Sequence, residues 1–331
     1  MTSGLVRVLQ QAESSAKPQP VEIVKERVVA EFKQILCAID FSTFSRRALD
    51  HALSVARCYG SSVTALHVTV PAAAAASGSY YFPPEMPVPL TLPTVDPAVL
   101  TARLEELADA EQVPGVSVAT LVTEAPHVHR EILLQAERLG AELIVMGTHG
   151  RSGFERLFLG STAEKVLRLA SCPVLTVPPG APDAMPRGPV PFERILCAID
   201  FSPDSVASLT YALSLATRNR AALTLAHVID TRPLYYDFSP PAVVDLHAWM
   251  GQAERRLRDL VPQDVRATCA VTEVVREGSV HAEIVSVAAQ TRADLIVLGV
   301  RGRGVVDLLL FGSTTHHVIR EAGCAVLTIR R

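Results

Sequence analysis

The sequence predicts a tandem α/β protein: two copies of one domain, each a five-stranded parallel sheet with helices on both faces. Three observations carry this. The run Ile35-Leu36-Cys37-Ala38-Ile39-Asp40-Phe41-Ser42 recurs letter for letter as residues 195–202. Downstream of each copy lies a glycine cluster of identical spacing, Gly147, Gly150 and Gly160-Ser161 in the first and Gly299, Gly302 and Gly312-Ser313 in the second. Between these landmarks, continuous Val/Ile/Leu runs alternate with stretches of helical period, the pattern of parallel strands joined by crossover helices. A repeat this long is a duplicated domain and not a short-period solenoid.

Taken in order, the first copy opens with an apolar strand over 34–39. The spacing of Ala48, Leu49, Ala52, Leu53, Val55 and Ala56 predicts a helix over 45–59, stopped by Gly60. A strand over 62–68 follows, then a helix over 97–111 with one acidic and one apolar face, and a strand over 116–122. The copy closes with a helix over 128–139 stopped by Gly140, a buried strand over 142–146, a helix over 161–170 and a last strand over 173–177. The second copy repeats the order, with strands over 194–199, 222–228, 266–275, 294–298 and 325–329 and helices over 205–217, 243–260, 281–291 and 313–321. Residues 1–30 read as an arm outside the repeat, 31–178 and 192–331 as the domains, and the Pro/Gly-rich stretch 179–191 as the linker.

The offset between copies is 160 at Asp40/Asp200 and 152 at Gly147/Gly299, so the second copy is shorter by 8 residues. The difference falls in the Ala-, Pro- and Ser-rich stretch 71–94 and its counterpart 231–241, which carry Tyr80-Tyr81 and Tyr235-Tyr236. These read as surface insertions, with a nucleotide lid as the alternative.

Composition narrows the function classes. A chain of 331 residues suits two domains of about 150 each. Its net charge of −3 advertises neither nucleic acid nor an anionic membrane. No apolar run approaches the roughly 18 residues of a membrane span, and the first residues lack the order of a signal peptide. The 6 cysteines include no Cys-x-x-Cys pair, and Cys37 and Cys197 fall inside expected strands, which points to packing in a reduced, cytoplasmic protein.

The chemistry lies at two loops. In open α/β sheets ligands bind beyond the carboxyl ends of strands, where the strand order reverses. Asp40 ends the first strand and Gly147 follows the fourth; if those strands are neighbours, both motifs meet at one crevice. A carboxylate there accepts hydrogen bonds from a hydroxyl or amino group, and glycines let backbone approach a polyphosphate. Gly160-Ser161-Thr162 opens a helix whose free amides favour anions, and His149 and Arg151 are candidates for charge-assisted contacts. Plainer readings stand beside these. Ser161 and Glu164 have the spacing of a capping box, Gly147 and Gly150 suit a simple turn, and Asp40 and Asp200 suit caps of the next segment. His316 and His317 are expected to face solvent, with phosphate contact by His316 as the alternative, and His67 and His227 to pack at a sheet end rather than to ligate a metal.

At these motifs the chain closely resembles the universal stress protein family in its tandem form, over about 31–178 and 192–330. Gly-x2-Gly-x9-Gly-Ser is the signature of the family's ATP-binding branch. The resemblance implies a Rossmann-like, adenine nucleotide hydrolase-like fold with strand order 3-2-1-4-5 and ATP carrying Mg or Mn. By the same resemblance Ala38, Ile39 and Asp40 line the adenosine side with Val68 beside the base. Met146, Gly147, His149 and Gly150 contact ribose and the first phosphates; Gly160, Ser161 and Thr162 hold the terminal ones. The matching positions in the second copy are Ala198, Ile199, Asp200, Val228, Leu298, Gly299, Arg301, Gly302, Gly312, Ser313 and Thr314. The chain departs from the family where Thr162 and Thr314 replace a common Val, Ala38 and Ala198 a common Pro, and Ala125 a common Gly. Arg301 also replaces His149, which favours the first copy. Family members pair through their final strands; here that implies pairing within one chain, with a homodimer beyond it. The expected role is a stress-response protein that binds ATP with at most slow hydrolysis, since no Walker lysine accompanies the glycines. The alternative is an interaction protein of the same fold that holds no nucleotide.

Overall fold

The computed structural model describes residues 31–71, 96–111, 113–150, 159–182, 191–231, 246–300 and 312–330. The first copy comprises β1 (Gln34–Ala38), α1 (Thr43–Tyr59), β2 (Ser62–Thr69), α2 (Pro97–Ala110), β3 (Ser117–Glu124), α3 (Val128–Arg138), β4 (Leu143–Gly147), α4 (Ser161–Leu169) and β5 (Val174–Val177). The second comprises β6 (Arg194–Ala198), α5 (Pro203–Asn219), β7 (Ala222–Ile229), α6 (Leu246–Asp259), α7 (Gln263–Thr268), β8 (Val271–Glu277), α8 (Val280–Thr291), β9 (Leu295–Gly299), α9 (Ser313–Glu321) and β10 (Ala325–Ile329).

The strands form one ten-stranded sheet in the order β3-β2-β1-β4-β5-β10-β9-β6-β7-β8. Each half is parallel and ordered 3-2-1-4-5, as expected, and the halves join where β5 pairs antiparallel with β10. Leu175 faces Leu327 in that register, and both are 2% exposed. Alternate residues of each strand feed opposite faces. Ile35, Cys37, Ile195 and Cys197 pack with α1, α5 and α6, while Leu36 and Leu196 pack with α4, α8 and α9. Each buried aliphatic side chain contributes about 1.5–3 kcal/mol.

One element departs from expectation. The strand expected over 266–275 begins at Val271, and its first residues belong to the short helix α7. Val265, Ala267 and Cys269 alternate with the polar Arg266 and Thr268, which reads as period two. The same letters place Val265 and Cys269 four apart, and both reach the core once the segment turns helical. Pro262 supplies the N-cap and Asp264 an acid in the first turn. The insertions 72–95 and 232–245, with both Tyr-Tyr pairs, lie outside the described residues, as do the arm and the linker segment 183–190.

Candidate functional site

β1 pairs with β2 on one side and β4 on the other, so the strand order reverses between β1 and β4. Both sequence motifs meet at that carboxyl edge. Asp40 Oδ1 accepts from the Ser42 amide at 3.0 Å and the Ser42 hydroxyl at 2.6 Å. Its Oδ2 faces Gly150, where an added Cβ would lie 2.9 Å away. Gly150 is therefore glycine because the carboxylate occupies the space a side chain needs. In the second copy Asp200 Oδ1 accepts from the Ser202 amide at 2.9 Å.

Between the acid and the capping serine, Phe41 and Phe201 adopt left-handed backbone with φ of 63° and 61°. Such a conformation costs a bulky residue about 1–2 kcal/mol, and the ring's contacts offset it. The Phe41 ring lies between His67, at 4.5 Å, and the Arg103 guanidinium, at 4.3 Å. Phe201 repeats the arrangement with His227 at 4.8 Å and Arg256 at 3.8 Å. His67 and His227 each place Nδ1 2.7 Å from a carbonyl oxygen, of Ile39 and Ile199. A carbonyl only accepts, so Nδ1 donates and both rings act as sheet-end packing. Sequence reading missed this stack; the paired Asp-Phe-Ser and strand-end histidines were its only trace.

The outer glycines of the signature serve the protein's own packing. A Cβ on Gly147 would lie 3.1 Å from Phe44 Cβ, and one on Gly299 would lie 2.8 Å from the Asp204 carbonyl carbon. Both glycines let the start of α1 or α5 close onto the sheet edge. Gly160 donates to the Thr148 carbonyl at 2.8 Å, and a Cβ there would meet the same oxygen at 3.0 Å. Gly312 repeats this with Val300, donating at 3.2 Å. These bridges set the start of α4 and α9 beside the end of β4 and β9.

The capping box between Ser161 and Glu164 does not form. Gly160 is the N-cap of α4, with no side-chain cap, and Ser161 stands one position inside the helix, exposed. A capping serine must precede the first helical residue, and the Gly160–Thr148 bridge starts the helix one residue too early. Among the described residues no side-chain cap is made at the start of α4. Gly312 caps α9 in the same way, again without a side chain. Thr315 adds a contact the first copy lacks, donating to the Gly299 carbonyl at 3.0 Å where Ala163 stands in the other half.

His149 differs from its expected role as a cation. Its Nδ1 lies 2.9 Å from the buried Thr148 hydroxyl, its ring is tilted against Phe44 at 5.7 Å, and its Nε2 is buried without a hydrogen-bond partner. Burial lowers its pKa, so the imidazole is neutral and offers a hydrogen bond rather than a charge. Thr148, 0% exposed, was not singled out from sequence.

Among the other expected residues, Ala38, Val68 and Met146 pack on the α3/α4 face, and Ala198, Val228 and Leu298 on the equivalent face of the second half. Ile39 and Ile199 point to the opposite face, each 3% exposed, with their amides bonded to the Leu66 and Ala226 carbonyls. Ser313 is exposed, and Thr162 and Thr314 are half-buried. Arg151, Arg301 and Gly302 lie outside the described residues. His316 and His317, expected to face solvent, are half-buried and meet one another edge-on.

A family model described as the universal stress protein family matches residues 31–178 and 191–330. The chain belongs to this family. Universal stress protein A homolog 1 of Coxiella burnetii is 34% identical over 146 residues, which are 44% of this chain and 96% of that relative. Universal stress protein YxiE of Bacillus subtilis is 33% identical over 152 residues, 44% of this chain and 99% of the relative. Each of these universal stress proteins therefore has the length of one copy. A solved universal stress protein from Archaeoglobus fulgidus superposes over 90% of this chain and 98% of its own, with a TM-score of 0.59 and 21% identity, and so shares the tandem fold. Among the described residues no helix is long and apolar enough to cross a membrane, and no group of three or more His, Cys, Asp or Glu is placed to hold a metal ion.

Proposed function

We propose that this universal stress protein binds ATP at the carboxyl edge of one or both halves. In this reading it acts in the cytoplasm as a nucleotide-dependent signalling or interaction module in the stress response. The observation that carries the reading is the start of α4, which has no side-chain cap and is bridged to the end of β4 at the edge that holds Asp40. Free helix amides are a ready site for phosphate, and a strand-end carboxylate suits a ribose hydroxyl or an amino group. The buried Nε2 of His149 leaves one further polar atom at this edge for a ligand to satisfy.

Residues fall into roles accordingly. Ala38 and Val68 offer an apolar wall for the base, with Asp40 beside it. Met146, Gly147, His149 and Gly150 would meet ribose and the first phosphates, and Gly160, Ser161 and Thr162 the last. Ala198, Asp200, Val228, Leu298, Gly299, Gly312, Ser313 and Thr314 do the same in the second half. A magnesium or manganese ion bound by the phosphates would supply charge neutralisation there. The sequence holds no Walker lysine to drive turnover, so the reading is binding with at most slow hydrolysis. An unidentified protein partner reads the bound state, and a homodimer of the whole chain belongs to the same proposal.

A second reading has its own support. The packing roles of Gly147, Gly160, Gly299 and Gly312 account for four of the six repeated glycines without any ligand, as an interaction protein would need. Calorimetry separates the two. Ser161→Glu puts a carboxylate on the open start of α4, where the helix dipole favours it and the fold is kept. ATP affinity of the first half should fall at least tenfold, roughly the loss of one charge-assisted contact plus new repulsion. A folded native chain that takes up no ATP, by titration or by native mass spectrometry, would leave only the interaction module.

A further inference from the structure

The first turn of α4 carries Glu164 and Lys165, whereas the equivalent places in α9 hold His316 and His317. Two fixed charges are replaced by two imidazoles, and a third imidazole packs on them. The ring of His281, from the first turn of α8, stacks on His317 with centroids 4.5 Å apart and planes 28° from parallel. The His316 ring meets His317 edge-on at 5.6 Å. His317 Nδ1 lies 2.7 Å from the Ser313 carbonyl oxygen, which folds its side chain back along the first turn toward the Gly312-Ser313 end. That oxygen only accepts, so Nδ1 carries the hydrogen and Nε2 is the nitrogen that takes up a proton.

Charged groups of both halves stand around the cluster. His316 is near Glu164 of the first half, His317 and Arg320; burial is the largest influence and lowers its pKa, with Glu164 acting the other way. Arg320 is paired with Glu321 at 2.5 Å, and His281 Nδ1 lies 3.4 Å from the Ser279 hydroxyl. In the first half the counterpart of His281 is His129, and it stands near the permanent cations Lys165, Arg130 and Arg168.

We propose that the His281–His316–His317 cluster makes the second half's hold on a phosphate-bearing nucleotide tighten on acidification more than the first half's does, where His129 and His149 stand instead. The inference rests on the nucleotide reading above. At mildly alkaline pH the imidazoles add no charge beside the open amides of α9. Protonation places positive charge at the positive end of a helix, which is unfavourable alone and is relieved by an anion. Proton and polyphosphate then assist each other, and the coupling is reciprocal.

The test is titration of the full chain with magnesium ATP at about pH 8 and about pH 6. Ser161→Glu closes the first half so that the second is read alone, and Ser313→Glu does the converse. A phosphate's own second proton titrates near pH 6, so the first half serves as the reference. The second half should gain roughly tenfold in affinity over that reference. His316→Glu with His317→Lys, the first half's residues, should remove the gain; His317→Asn is the milder variant if melting curves show that the double exchange unfolds. Saturating ATP should also raise the titration midpoints of these imidazoles, seen by NMR. Equal responses in both halves, a response that survives the exchange, or binding confined to the first half overturns the inference. Binding in neither half overturns the nucleotide reading, and this inference with it.

Discussion

Gly60 and Gly140 end α1 and α3 of the first half in left-handed backbone, with φ of 67° and 61°. The second half keeps the conformation but not the residue: Arg220 and Arg292 sit there at φ 52°. Both arginines are exposed, so their side chains gain little burial to offset a conformation that costs about 1–2 kcal/mol. Arg220→Gly and Arg292→Gly should each stabilise the chain by about 0.5–1 kcal/mol, after the extra flexibility glycine gives the unfolded state. Urea unfolding midpoints check this; a fall in either midpoint contradicts it. Such residues were legible as helix stops in the first half only, because glycine is the signal and arginine is not. Phe41 shows the same limit, since nothing in its letter announces left-handed backbone or the His67–Arg103 stack that holds it.

At the scale of elements, α1 and α4 start differently. Ser42 caps α1 and accepts from the Ser45 amide at 3.2 Å, and Ser202 does the same for α5. α4 and α9 begin at glycines with no side-chain cap. Ser42→Ala should therefore cost about 1 kcal/mol, whereas Ser161→Ala should stay within about 0.5 kcal/mol of the parent. Chemical denaturation of the two variants side by side decides it. A loss at Ser161 matching that at Ser42 would restore the capping-box reading and remove the main support for a phosphate site. The Ser-x-x-Glu spacing was visible in the sequence and misleading there, because the Gly160–Thr148 bridge sets where the helix begins. In α7 the ambiguity ran the other way: alternating apolar letters suited a strand until Val265 and Cys269 found a common core face.

The whole molecule is held by a joint that spans its two halves. Thr176 donates to the Val326 carbonyl at 3.2 Å and Thr328 to the Val174 carbonyl at 3.1 Å, two equivalent bonds across the β5/β10 pair. Away from the sheet, Arg218 bonds the Cys58 carbonyl at 3.0 Å and covers the Tyr59 ring at 4.4 Å, while the Cys58 thiol donates to Asn219 at 3.1 Å. Phe32 stacks on Tyr211 of the other half at 6.3 Å. A continuous sheet with a shared apolar layer does not depend on the connecting chain. With a protease site placed within 183–190, the nicked protein should remain one species on a sizing column and melt in a single transition. Separation of the pieces under native conditions would contradict the shared core.

The sequence by itself determined the duplication, the strand and helix order of each half, and the recurrence of the Asp-Phe-Ser run and the glycine signature in both. Those features rest on local periodicity and on spacing, which a chain carries wherever it folds. Tertiary structure decided that two five-stranded halves make one sheet, and that Gly147 and Gly160 serve close packing. It also decided that α4 begins uncapped and that His149 is neutral. Each of these depends on what residues far apart in the chain do to one another's space and solvation, which no single stretch of letters contains.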